Sequence, residues 1–119
     1  MTARCYAVSP TQAMQPTHYI GSSTLVEGEA KEFGHVFHQS RDQRFTVGIW
    51  ACSPCKEKIE SYPFDEFMVI LAGSVTCAAD DGEVRSFTAG DCFFMEKGWK
   101  GTWHMTAPFK KYFVIHAGD

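Results

Sequence analysis

Residues 66–76 read Glu66-Phe-Met-Val-Ile-Leu-Ala-Gly-Ser-Val-Thr76, and Asp80-Asp81-Gly82 follows shortly after. The apolar run at 67–72 is the longest in the chain and far short of the roughly twenty residues that cross a bilayer as a helix. A run of this length, bounded by glycine and turn residues, is a strand signature, and its continuity predicts cover on both faces. Asp and Gly tolerate the positive φ of a tight hairpin, so 80–82 turns the chain back into 83–87.

Working outward, the same grammar repeats. Residues 44–52 place Phe45, Val47, Ile49 and Ala51 on one side and Thr46, Gly48, Trp50 and Cys52 on the other, a period of two. Further short strands are expected at 34–38, 56–61, 92–96, 101–105 and 110–116, separated by turns at Ala89-Gly90-Asp91 and Lys97-Gly98. No stretch carries a helical period. Eight or more short strands at this spacing predict an all-β antiparallel sandwich or barrel. The chain has 119 residues, the size of one domain. Residues 1–18, polar and interrupted by Pro10 and Pro16, are expected to form an N-terminal arm, and 19–119 the folded domain.

The composition narrows the function. Net charge is −3, and no cluster of Lys or Arg supplies the basic footprint that nucleic acid or an anionic membrane requires. No apolar segment follows Arg4, so no signal peptide is expected. Five cysteines, an odd number, suit reduced thiols and a cytoplasmic setting. Cys52-Ser-Pro-Cys55 is a lone Cys-x-x-Cys after a strand, without the helix N-terminus that would activate a thiol and without a second pair to complete a zinc site. It is read as structural. His35 and His38 would share a face only on a helix, so on a strand they make no metal pair.

Two blocks then stand together: Tyr62-Pro-Phe-Asp-Glu-Phe67, running into the strand that ends at Gly73, and Ala89-Gly-Asp-Cys-Phe-Phe-Met-Glu-Lys-Gly98-Trp-Lys-Gly-Thr-Trp103. With Trp50-x-Cys52 they make residues 45–115 resemble the cupin superfamily. More closely, the chain resembles the small single-domain cupins grouped with (S)-ureidoglycine aminohydrolase. The resemblance implies a double-stranded β-helix, the jelly-roll barrel, whose interior in most characterised members holds a divalent metal on three histidines and a glutamate. Here the glutamate position falls on Glu66. The paired histidine positions fall on Ile59 and Ser61, or on Glu60 and Tyr62, and the last on Gly101. The three-histidine site is therefore missing. The only substitute set in view is Glu60, Tyr62 and Glu66 with one histidine brought in from elsewhere, and two carboxylates with a phenol are a poor match for softer first-row metals.

If Glu66 faces inward, period two turns Met68 and Ile70 inward with it, and Phe67, Val69 and Leu71 outward. Trp103 shares the face of position 101. The expected site is thus Glu66 as the reactive carboxylate, its pKa raised by burial in an apolar pocket, with Tyr62, Trp50, Trp103 and Met68 around a ligand and no metal-ligand set. The expected function is binding of a small polar metabolite in the barrel without a metal. The resemblance keeps open an alternative, a manganese-type aminohydrolase acting on a small nitrogenous metabolite. Cupin barrels commonly pair through edge strands and swapped arms, which implies a homodimer.

Overall fold

The computed structural model describes residues 2–118; Met1 of the expected arm and Asp119 of the expected domain lie outside them. Eleven strands are present among the described residues, and no helix: β1 (Gln15–Thr17), β2 (Leu25–Gly28), β3 (Glu32–Gln39), β4 (Phe45–Cys52), β5 (Cys55–Ile59), β6 (Asp65–Ala72), β7 (Ser74–Ala79), β8 (Val84–Thr88), β9 (Cys92–Met95), β10 (Gly101–Met105) and β11 (Phe109–His116). They form two antiparallel sheets, ordered β1-β3-β4-β11-β6-β9 and β2-β5-β10-β7-β8. This is the all-β antiparallel sandwich expected from the strand spacing, in the jelly-roll form that the cupin resemblance implies.

The stretch at 66–76 is two strands rather than one. The chain breaks at Gly73, whose φ is +78°, and passes from the first sheet to the second. A Cβ at Gly73 would clash with the carbonyl oxygen of Pro108 and lie 3.2 Å from the Cα of Phe109, so only glycine makes this corner. The inner face of β6 is as expected, with Glu66, Met68 and Ile70 all 2% exposed or less. Its outer face is only partly covered, since Phe67 remains 42% exposed beside its β9 neighbour Phe94. β2 was not legible in the sequence: it is four residues long and mostly exposed.

The core lies between the sheets and joins Met68, Ile70, Val75, Met105, Phe109 and Phe113 to the aromatic pair Trp50 and Trp103. Ile49 is also fully buried, but on the opposite side of β4, facing out with its β11 partner Tyr112. The N-terminal segment covers it. The Tyr112 hydroxyl donates to the carbonyl of Val8 (3.2 Å), Lys110 Nζ to that of Pro10 (2.9 Å), and the Tyr6 hydroxyl to that of Phe37 (3.1 Å). The polar residues before Tyr19 therefore lie against the sheet, and β1 extends it beyond β3.

All five cysteines are free; Cys52, Cys55 and Cys77 are buried, and Cys5 and Cys92 exposed. Burial pushes the Cys52 and Cys77 thiols up to about 12, in Cys52 with help from neighbouring Cys55, and burial also raises Cys55. Thiolate is the reactive form. A disulfide-exchange reagent at neutral pH should therefore label two thiols quickly, Cys5 and Cys92, and the other three only after denaturation. Fast labelling at Cys52 or Cys55 would revive a reactive Cys-x-x-Cys.

Candidate functional site

A cavity of about 340 Å³ opens at one end of the sandwich, walled by Trp50, Trp103, Tyr62 and Phe113 and roofed by Tyr19 and Ile20. Its floor is an ion pair. Lys111 Nζ lies 2.6 Å from Oε2 of Glu66, and the two side chains are 7% and 2% exposed. The same ammonium is 3.2 Å from the Met68 sulfur and 4.9 Å from the ring centroids of both Trp50 and Trp103. A lysine in a core is stable only with its charge answered, and here a carboxylate and two indole faces answer it. The other oxygen of Glu66 accepts the hydroxyl of Tyr62. Burial first, and then the adjacent Glu66 carboxylate, hold the Tyr62 phenol well above its ordinary pKa, so it is a donor, not a phenolate. The turn at 97–99 fixes Tyr62 by its backbone: Tyr62 N donates to the carbonyl of Trp99, and Gly98 N to that of Tyr62.

Behind Trp50 sits a second buried carboxylate, Glu32, 5% exposed. Its Oε1 accepts the Trp50 indole (3.0 Å), the Tyr19 amide (3.0 Å) and the Thr17 hydroxyl (3.4 Å), and its Oε2 the Ile20 amide (2.9 Å). One side chain thus orients Trp50 and ties down the roof. A third carboxylate, Glu57 on β5, faces the cavity opposite Trp103 in register. The Thr24 hydroxyl donates to it at 3.0 Å. Desolvation raises its pKa most; Glu32 pushes it further up, and the Thr24 bond and Lys111 act against that. Trp103 is 4% exposed, and its Nε1 finds no acceptor among the described residues, a position that costs about 1–3 kcal/mol.

Set against the residues expected from sequence, Glu66, Tyr62, Trp50 and Trp103 are brought together at the cavity. Met68 lies beneath it, fully buried, touching Lys111 rather than lining the space. Glu66, read from sequence as a carboxylate in an apolar pocket, has the Lys111 ammonium as a counter-charge besides the Tyr62 hydroxyl. Sequence reasoning missed Lys111 and Glu57, although period two carried both. Lys111 alternates with Phe109, Phe113 and Ile115, and Glu57 with Cys55 and Ile59, all facing in.

The donor set does not fit the divalent metal that the cupin resemblance implies. Both oxygens of Glu66 are engaged, one by an ammonium that would be forced against any cation placed there. At position 101 a Cβ would clash with the carbonyl oxygen of Ala78 and come within 2.6 Å of the Trp99 ring, so no side chain can project a ligand from it. Glu60 and Ser61 are exposed at the mouth. Among the described residues no three His, Cys, Asp or Glu side chains converge on a metal position.

Residues 39–113 match the family model described as EutQ-like cupin domain. The chain belongs to this family. No curated protein matches it. Among solved structures, this EutQ-like cupin is similar to a Pseudomonas syringae protein of unknown function from the DUF861 family, at TM-score 0.86 and 16% identity, over 91% of this chain and 46% of that one. The chain thus spans about half of the Pseudomonas protein. It is also similar to the EutQ protein of Clostridium difficile, at TM-score 0.63 and 15% identity over 86% and 82% of the two chains. A DUF861 family protein from Thermotoga maritima aligns at TM-score 0.53 and 25% identity, over 56% and 75%. The sequence-based resemblance to cupins holds at the level of the superfamily; the family matched is the EutQ-like cupin domain, not the narrower grouping with (S)-ureidoglycine aminohydrolase.

Proposed function

We propose that this EutQ-like cupin binds a small metabolite in the barrel through organic side chains alone. The observation that supports it is the floor of the cavity. A buried Lys111–Glu66 pair, capped by Tyr62 and flanked by two indoles, places fixed charges and donors at the end of an apolar well, the usual form of a small-molecule site. The manganese-type aminohydrolase reading draws no support from this donor set, because the one carboxylate it would use is committed to Lys111 and Tyr62.

A thermal-shift screen of small polar metabolites against the full chain tests the proposal, with Trp50→Phe as the cavity variant. Binding stabilises by RT ln(1 + [L]/Kd), about 2.7 kcal/mol at a hundred-fold excess over Kd, so genuine ligands should raise Tm by several degrees. The shift should shrink in Trp50→Phe. Hits whose shifts ignore that substitution bind elsewhere and reject the proposal, as does a screen without hits.

A further inference from the structure

We propose that the ligand this cavity takes is a small organic ammonium ion, with Glu57 as its counter-charge; the inference rests on the binding role proposed above and names its ligand class. The ionic lining is unequal. Glu57, Glu60 and Glu66 contribute carboxylates, whereas among the described residues Lys111 is the one ammonium that faces them, because the ammonium of Lys58 lies 2.6 Å from Asp80 on the surface. Lys111 is spent on Glu66. Glu57 is left with a hydroxyl, Thr24, and, among the described residues, no cation within ion-pair distance.

The walls favour the same class. Trp50, Trp103 and Tyr62 line the cavity, and aromatic faces attract cations most strongly where water is excluded. The protein already shows the chemistry once: the alkylammonium of Lys111 sits 4.9 Å from two indole centroids with a carboxylate at 2.6 Å. Glu57, paired with Trp103 in register, sets a second carboxylate beside an indole, with no ion-pair partner among the described residues. An anionic ligand would meet Glu57 and Glu60 there, with the Lys111 ammonium already paired to Glu66. A neutral one would leave Glu57 half-desolvated and unanswered.

The test uses three probes with one ring and different heads: benzylammonium, benzamide and benzoate, titrated calorimetrically into the full chain near neutral pH. Benzylammonium should bind about ten-fold more tightly than benzamide, the equivalent of about 1.4 kcal/mol, and benzoate more weakly than either. Glu57→Gln should remove that ten-fold advantage over benzamide and keep the wild-type melting temperature or raise it. Benzylammonium affinity should fall as the pH is lowered through the raised pKa of Glu57, since the protonated carboxyl no longer attracts a cation. Benzamide or benzoate binding as tightly as benzylammonium, or no effect of Glu57→Gln, overturns the ligand class while leaving the cavity a binding site. Heats absent for all three probes to about 10 mM also overturn it. The cavity reading itself falls only if the wider screen is empty too.

Discussion

Lys111→Met is expected to destabilise the protein by about 3–5 kcal/mol, because it leaves the Glu66 carboxylate buried with no cation. Against a total stability of about 5–15 kcal/mol for a domain, that is a large fraction, visible as a fall in the urea midpoint at unchanged slope. Methionine keeps the length and apolar stem of lysine, so the loss reports charge rather than volume. Adding Glu66→Gln removes the stranded charge while its amide oxygen still accepts the Tyr62 hydroxyl. The double variant should therefore regain most of the loss, coming within about 1–2 kcal/mol of wild type, since a buried pair as a whole contributes little beyond a neutral replacement. Wild-type stability in Lys111→Met, or additive losses in the double variant, would show that the pair does not form the floor of the cavity.

The second large effect is expected at Glu32. Its two oxygens accept four hydrogen bonds, from the Trp50 indole, the Tyr19 and Ile20 amides and the Thr17 hydroxyl. Hydrogen bonds to a charged group contribute about 1.5–3 kcal/mol each, and they are not independent here because one carboxylate serves all four. Glu32→Ala should cost about 3–5 kcal/mol in total. The loss should also have a place. Amide exchange should accelerate at Tyr19 and Ile20, and the Trp50 indole proton should lose protection, while β6 and β11 remain slow. Uniform acceleration across both sheets would instead mean that Glu32 supports the fold generally and has no special hold on the cavity roof.

The sequence made the alternating strands legible because burial follows a period of two. Glu66, Met68 and Ile70 face inward as the pattern required, and Gly101 and Trp103 do the same on β10. Three features escaped for physical reasons. A lysine beside another lysine, Lys110-Lys111, reads as solvated surface unless its strand neighbours are weighed, and nothing local announces a carboxylate 45 residues away. At Gly73 the sharp turn was legible from the glycine, and what escaped was the tertiary contact with the backbone of Pro108 and Phe109 that makes it obligatory. The N-terminal residues carry no period because they pack through side chains reaching up to their carbonyls, as Tyr112 and Lys110 do, rather than through an apolar face of their own. The motif arithmetic was sound for Glu66 and incomplete for β5, where Glu57 rather than position 59 or 61 supplies the inward polar group.

The lysine at the floor of the cavity has one more implication. A positive charge attached to the polypeptide is made at the ribosome in a fixed ratio to the barrel that needs it. It is neither scavenged from the surroundings nor surrendered to a chelator. The positive charge at the floor of this cavity is therefore set at translation.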